Sequence, residues 1–537
     1  MQKKILFLFF AFLSLTAKTQ TVERPKLVVG IVIDQMRWDY LYRYNRYAQN
    51  GGFKRMMGSG FSCENTFISY APTITACGHA SIYTGSVPAI NGIAGNAWMD
   101  RITNEYVYCV EDKKVKTIGS TTEAGLMSPA NLLTTSICDE LRLATNFKSK
   151  VIGVSLKDRG SILPAGHSAN AAFWYDGKTG DWITSSYYMN KLPKWVDDFN
   201  AKKLVNKYYE QGWNTLYPIN TYEQSTEDAK AYEAKVFGSN TFPYNLKQYV
   251  GKNYGQISAT PHGNSLTAEF TKAAVINEGL GEDNITDFLA VSFSSTDYIG
   301  HSFGPNSIEE EDNFLRLDKE LGELFDFLDS KVGKNKYLAF LSADHGVLQA
   351  PEFLTEHKIP SSRFDLGIFS KLNQLLKTQF GKDSLVENMY NYQVFLNRPA
   401  IEAAHLNIAE IKKIIIQNMK DLPGIARAFD IEDLMQVPLN SKIRDMLVNG
   451  YYPKRGGDIQ LILQSQWIEG YSATGTTHGL WNPYDAHIPL LWYGWGIKPG
   501  NTSREVSITD IAPTLAALLK IQRPSGSVGN VIGEIIP

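Results

Sequence analysis

Six side chains able to ligate a divalent cation are scattered along this chain: Asp34, the Asp297-x-x-x-His301 pair, the Asp344-His345 dipeptide and His478. Carboxylate oxygens and imidazole nitrogens are a donor set that holds zinc. A hydroxyl that could react beside such ions is Thr75, within Tyr70-Ala-Pro-Thr-Ile-Thr-Ala-Cys-Gly-His79. Pro72 before it and the small residues Ala76, Gly78 and Ala80 after it mark a loop-to-helix junction. Free backbone N–H groups at a helix start favour a bound anion, so a phosphoryl-transfer nucleophile would sit well there. Alone, a threonine before a helix reads as an ordinary N-cap. The dispersed ligands are what give it weight.

Three more side chains could hold the oxygens of an anion. Asn96 closes Gly92-Ile-Ala-Gly-Asn, where glycines admit a close backbone approach and the amide supplies a neutral donor, although a turn residue is the plainer role. Lys157 and Arg159 stand two residues apart beyond an apolar run, one a point charge and the other a planar fork. A solvated charged turn is the plainer reading here too; the apolar, glycine-bearing stretch at 160–173 argues instead for a partly enclosed site.

The elements that must position these groups follow from hydrophobic patterning. Leu27–Ile33 is a continuous apolar run ending at Asp34, the pattern of a strand buried on both faces. Lys150–Ser155, Asp287–Phe293 and Tyr337–Leu341 repeat it, and the last two lead to Asp297 and Asp344. Open α/β sheets bind ligands at the carboxyl ends of their strands, so strand-then-aspartate at three places is informative. Asp344 and His345 are adjacent and can serve one centre only on an irregular loop, which Gly346 favours. Helices are expected over 76–84, from Ser128-Pro129 through Leu132, Leu133, Ile137 and Leu141, and after a Ser307-x-x-Glu310 capping box with Phe314, Leu317, Leu321, Leu324 and Leu328 inward. Strands are expected over 392–396, 459–463 and 488–493, with a helix over 408–418 and a capped C-terminal helix from Ile508. The fold class is therefore α/β: a central, mostly parallel sheet flanked by helices, carrying an inserted α+β lobe and cap segments. The divisions are residues 1–20 as a leader, 21–181, 264–363 and 469–537 as three parts of the core, 182–263 as an insertion near the site, and 364–468 as the lobe.

At 537 residues the chain can bury a large core. With 53 basic and 55 acidic residues the net charge is −2, so bulk charge gives no argument for nucleic acid or a membrane surface, and any anion site must be local. Lys3 and Lys4, the apolar run Ile5–Leu15 and Thr16-Ala17 read as a secretory signal peptide, too short for a comfortable membrane span. The expected destination is the periplasm or the exterior. No cysteine ends that run, against a lipoprotein anchor, and no later long apolar run suggests a span in the mature chain. Cys63, Cys77, Cys109 and Cys138 would suit one or two disulfides in such a compartment, with the pairing open.

Taken together and in this order, Asp34, Thr75, Asp297-x-x-x-His301, Asp344-His345 and His478 resemble the alkaline phosphatase superfamily over nearly the whole mature chain. Ala71-Pro-Thr-x-Thr-Ala-Cys-Gly-His79, Ser155-Leu-Lys-Asp-Arg-Gly160 and Pro164-Ala-Gly-His167 resemble, more narrowly, the phosphate-irrepressible bacterial members with a threonine nucleophile. That resemblance implies two zinc ions: one held by Asp297, His301 and His478 near the leaving group, the other by Asp34, Asp344 and His345 beside Thr75. It further implies a phosphothreonine intermediate, with Asn96, Lys157 and Arg159 on the non-bridging oxygens. A monoester dianion rewards two extra cations, whereas a diester carries one charge and a second organic group, so small phosphate monoesters are the expected substrates. A phosphodiesterase or nucleotide pyrophosphatase of the same superfamily is the alternative, and a non-catalytic metal- or phosphate-binding secreted protein is another. No Cys-x-Pro-x-Arg exists to support a sulfatase. A peripheral calcium ion and the oligomeric state, a monomer among the options, are left open.

Overall fold

Leu27-Val-Val-Gly-Ile-Val-Ile33 contains no polar side chain, and all seven residues are buried. Such a segment has to be covered on both faces, and it lies in the middle of the largest sheet. The computed structural model describes residues 23–44, 47, 51–470 and 473–536; the leader expected over 1–20 lies outside them.

The large sheet has ten strands: β1 (Leu27–Ile33), β2 (Phe61–Cys63), β3 (Thr117–Ile118), β4 (Val151–Ser155), β5 (Ala171–Asp176), β6 (Asp181–Ser185), β7 (Asp287–Phe293), β8 (Tyr337–Ser342), β9 (Leu490–Gly494) and β10 (Gly500–Thr502). Their order is β10-β2-β9-β8-β1-β7-β4-β5-β6-β3. The central five, β8, β1, β7, β4 and β5, are mutually parallel, with Leu27 opposite both Asp287 and Tyr337. Antiparallel β9 and β6 adjoin them on the two sides. The sheet is thus mixed with a parallel centre, as the apolar runs predict.

Four helices matter for the site: α1 (Thr75–Thr84), α2 (Asp158–Ala165), α3 (Ser295–Phe303) and α4 (Ile308–Leu328). On α4, Phe314, Leu317, Leu321, Leu324 and Leu328 are buried as their spacing predicts. Its capping box is only half formed. Ser307 accepts from the Glu310 N–H, but the Glu310 carboxyl is buried and accepts no hydrogen bond instead of reaching back to the cap.

Two other expectations are corrected. The helix anticipated from Ser128 begins at Ile137, because Ser136 and Asp139 form a complete, reciprocal capping box there, and Leu133 is left exposed. The strand anticipated over 488–493 is two strands: His487–Ile488 pairs with Thr66–Phe67, and β9 joins the large sheet. Pro489 between them has no N–H with which to continue one ladder.

Residues 386–463 carry a separate four-stranded sheet of order Val386–Tyr390, Gln393–Leu396, Ile459–Leu463, Ile425–Asp430, packed on its own core of Leu372, Leu376, Ile411, Ile415 and Met419. Trp182, on β6, stacks on Phe270 of the helix Pro261–Glu278 with ring centroids 4.1 Å apart, and Trp213, Phe237, Phe242 and Tyr244 of the segment after β6 pack on one another. That segment also reaches the His478 loop, where Tyr232 O accepts from Gly475 N–H at 2.7 Å. All four cysteines are free and buried, so the expected disulfides are absent. Cys77 directs its thiol to Ile93 O at 3.1 Å, and a core of this size does not depend on cross-links.

Candidate active site

Neighbouring strands β8, β1, β7 and β4 deliver Asp344, Asp34, Asp297 and the Lys157–Arg159 segment, respectively, at their carboxyl ends. Asp34 and Asp344, far apart in the chain, are thereby gathered with the others by one edge of one sheet, the usual ligand crevice of an open α/β fold. His301 comes from α3, one turn after Asp297, and His478 from a loop that returns beneath Thr73.

Thr75 is the first residue of α1 and is 1 % exposed. The N-cap is Ile74, and no side chain caps the helix, so Thr75 does not play the plain capping part. Its hydroxyl stands 3.4 Å from His345 Nε2. Ala76 N–H donates to Asn96 Oδ1 at 3.0 Å, which commits the Asn96 carbonyl and leaves its NH2 group as a donor. Gly78 lets α1 lie directly on the ligand loop: a Cβ there would fall 2.3 Å from Asp344 O and 2.5 Å from Asp344 Cβ.

The ligand-type atoms converge. Ligand atoms of Asp34, Asp344 and His345 all lie within 4.8 Å of one another, and so do those of Asp297, His345 and His478. His345 enters both groupings, whereas His301 meets Asp297 Oδ1 at 3.1 Å without joining the second. The His345 and His478 rings stack with centroids 3.5 Å apart.

These residues fit a divalent ion. Asp34 Oδ1 and Asp344 Oδ2 are buried and accept no hydrogen bond. The Nδ1 atoms of His301, His345 and His478 lie 2.8, 3.0 and 2.8 Å from the carbonyls of Thr476, Gly346 and Thr73. A proton on each Nδ1 donates to that carbonyl and leaves each Nε2 lone pair free, the backbone-oriented arrangement of metal-binding histidines.

Lys157 Nζ lies 2.7 Å from Asp34 Oδ2 and 2.6 Å from Asp297 Oδ2. Burial would lower the lysine pKa, but Asp297 and Asp34 outweigh it and raise it. Burial opposes ionisation of Asp297 as well, yet His301 and Lys157 hold its pKa well below the usual carboxylate range. Burial and then Asp344 push Asp34 well up. Burial, with His345 and His301 adding to it, depresses His478 far enough to keep it neutral, and burial lowers His345. Arg159 stays charged despite burial, through Tyr108 and Asp158.

Several contributors carry no obvious motif. Gln35 donates from Nε2 to Asp297 Oδ1 at 2.6 Å, and its backbone N–H donates to Asp344 Oδ1 at 3.1 Å. Tyr108 OH receives Arg159 Nη1 at 3.0 Å. His79 Nδ1 lies 2.9 Å from Thr75 O and 3.3 Å from Asp344 Oδ2, beneath the site. Three other histidines are engaged elsewhere: His167 with Leu132 O and Asp139, His262 with Gly212 O, and His487 with Glu64 O between the Trp38 and Phe67 rings.

A hydroxyl at a helix start, two overlapping clusters of carboxylate and imidazole, and a lysine and an arginine at the strand ends of an α/β sheet are the parts that a hydrolase-type phosphoryl-transfer centre requires. The chain belongs to the type I phosphodiesterase / nucleotide pyrophosphatase family, whose sequence model matches residues 28–485. It is 55 % identical over 519 residues to alkaline phosphatase PhoV of Synechococcus elongatus, covering 96 % of this chain and 94 % of that one. It is 52 % identical over 536 residues to a Myroides odoratus protein named calcium-transporting ATPase, covering 98 % and 97 %. A crystal structure of wild-type alkaline phosphatase PafA superposes with a TM-score of 0.94 at 48 % identity, covering 96 % of this chain and 100 % of that one. The resemblance read from the motifs and the α/β fold expected from the strands both agree with these matches.

Proposed function

We propose that this chain hydrolyses phosphate monoesters as an alkaline phosphatase, through a covalent phosphothreonine at Thr75, and releases inorganic phosphate. The activity in the names of PhoV and PafA, at about half identity over nearly the full chain, supports the reaction class. The observation that carries the choice of monoesters is Lys157, whose ammonium lies among the carboxylates at 2.7 and 2.6 Å with the half-buried Arg159 two residues on. Two fixed cations match the two charges of a monoester dianion better than the single charge of a diester.

In the first step Thr75 Oγ1 gives up its proton and attacks phosphorus in line, the ester P–O bond breaks, and the leaving oxygen takes up a proton and departs as the alcohol on the side away from Thr75. In the second, water loses a proton and attacks from that vacated side, the bond between phosphorus and Thr75 Oγ1 breaks, Oγ1 regains a proton, and phosphate leaves. The Asn96 amide and the Lys157 and Arg159 cations hold the non-bridging oxygens throughout. Fixed donors of this kind need no reorganisation as charge redistributes. Two zinc ions, on Asp297, His301 and His478 and on Asp34, Asp344 and His345, would supply Lewis-acid stabilisation to the attacking and departing oxygens. The neutral His345 and His478, each turned by a backbone carbonyl, present unprotonated Nε2 atoms for that purpose.

Substrates are small-molecule monoesters; the terminal phosphoryl of the ATP in the Myroides relative's name offers a similar dianionic face. Residues 1–20 support a periplasmic or secreted location. Among the described residues no helix is long and apolar enough to cross a membrane. Diester cleavage is the second reading, favoured by the family's own name. The deciding experiment compares kcat/KM for an aryl phosphate with that for its methyl ester. A higher value for the diester overturns the monoester reading, and full activity in Thr75→Ala overturns the nucleophile.

A further inference from the structure

Gln35 directly follows the first candidate ligand and is fully buried. Its backbone φ is 67°, in the left-handed region. For a residue other than glycine that conformation is disfavoured, and it persists where surrounding contacts over-determine it. Two contacts do so here. The Gln35 backbone N–H donates to Asp344 Oδ1 at 3.1 Å, and the side-chain Nε2 donates to Asp297 Oδ1 at 2.6 Å. Asp344 belongs to the half-site beside Thr75, and Asp297 to the opposite one. The left-handed turn is what lets one residue serve both.

The seat is shaped for this side chain. Gly300, on α3 between Asp297 and His301, has no Cβ, and one placed there would fall 2.0 Å from Gln35 Oε1. Asparagine, which tolerates positive φ better, would be one methylene too short to span the two carboxylates. Lys157 also bridges the half-sites, but its charge repels a bound cation, whereas a neutral amide can keep hold of both carboxylates when ions are present.

We propose that Gln35 is a positioning residue that fixes the two metal half-sites relative to each other, holding Asp344 with its main chain and Asp297 with its side chain. This rests on the two-ion reading given above. Outer hydrogen-bond partners of metal ligands are worth about 10- to 100-fold in affinity or activity. Gln35→Met keeps length and volume and removes the donor together with Oε1, which has no hydrogen-bond partner. Gln35→Asn keeps the donor and shortens the reach.

The test titrates zinc calorimetrically into full-length protein stripped by a chelator, beside thermal melts of the stripped forms. Wild type is expected to take two equivalents. Gln35→Met is expected to melt within a few degrees of wild type and to bind zinc about 10- to 100-fold more weakly, with kcat/KM for an aryl phosphate down by a similar factor. Gln35→Asn is expected not to rescue it. Wild-type zinc affinity in Gln35→Met overturns the proposal, and so does full rescue by Gln35→Asn. If Gln35→Met fails to fold, Gly300→Ala, which displaces the amide without removing it, must lower zinc affinity, and unchanged affinity there is equally fatal. Wild type that binds no zinc overturns both the two-ion reading and this one, whereas two equivalents in wild type with no change in the variants overturns the positioning role alone.

Discussion

The phenol oxygen of Tyr108 stands 3.0 Å from Nη1 of Arg159 and donates its own proton to Asp158 Oδ1 at 2.6 Å. One hydroxyl thus ties the arginine of the clamp to the carboxylate beside it. Arg159 has few other anchors, and its Nε is buried without a partner. Tyr108→Phe should leave the charge in place but free the guanidinium to wander. A hydrogen bond to a charged group is worth about 1.5–3 kcal/mol, so kcat/KM for an aryl monoester should fall about 10- to 150-fold. The methyl diester, with one charge to hold, should lose less. Equal losses on both substrates would show that Tyr108 does not act through the clamp.

Gly78 is the point where the nucleophile helix touches the ligand loop. A methyl group there, 2.3 Å from Asp344 O, has to push α1 and Asp344 apart. Overpacking of this kind costs about 1–3 kcal/mol in stability. Because Thr75 and Asp344 sit on the two surfaces being separated, Gly78→Ala should lower kcat for the aryl phosphate as well as the melting temperature. A variant that melts early but keeps wild-type kcat would show that the contact serves packing only.

Alkaline pH should act on stability through buried acids away from the site. Burial pushes Glu309 up to about 8, against the hydrogen bond that Tyr244 OH donates to it, and burial followed by Glu309 pushes Glu233 up to about 9. A carboxyl whose folded pKa exceeds its unfolded value binds more protons when folded. Its contribution is complete below the ordinary value of 4.5 and drains away as pH rises through 8. Glu309→Gln keeps an acceptor for Tyr244 and cannot ionise. It should therefore raise the melting temperature at pH 9 relative to pH 6, by about 1–3 °C. An equal effect at both pH values would mean that Glu309 is ionised in the folded protein throughout.

The sheet centre was legible because strands buried on both faces must be apolar without interruption. Runs such as Leu27–Ile33 and Asp287–Phe293 therefore announce the strand and point to the candidate ligand that follows it. Local signals that compete were misread: Ser128-Pro129 resembles a helix start, but the reciprocal box of Ser136 with Asp139 satisfies more backbone donors and won. Gln35 and Tyr108 left no motif. Gln35 reaches an acceptor 262 residues away, a relationship that only the tertiary fold creates. Asn391, at a hairpin tip of the smaller sheet, donates to Ala94 O at 3.3 Å and Ala97 O at 3.2 Å on either side of Asn96, which periodicity could not suggest. The division of ligands between two ions was likewise not a matter of spacing; it came with the family resemblance, and His345 lies close to both groupings.

Lys157 offers a test in which metal and lysine substitute for one another. Asp34, Asp297 and Asp344 are all at most 4 % exposed, and in the stripped protein the cation placed between the first two is Lys157 Nζ. Breaking a buried ion pair by removing one partner costs about 3–5 kcal/mol, because the charge left behind has no compensation. With zinc bound the same carboxylates are neutralised by the ions, and Lys157 contributes repulsion to those ions as well as attraction to the carboxylates. Lys157→Met should therefore lower the melting temperature of chelator-treated protein much more than that of zinc-loaded protein, and the stabilisation gained on adding zinc should be larger in the variant than in wild type. Activity behaves differently, since the proposed function sets the lysine against the monoester dianion whatever its structural part: zinc-loaded Lys157→Met should melt near wild type yet hydrolyse the aryl phosphate at least about tenfold more slowly. Identical melting shifts with and without chelator would mean that the three carboxylates are not jointly neutralised by metal, and the picture of a shared charge cluster would have to be abandoned.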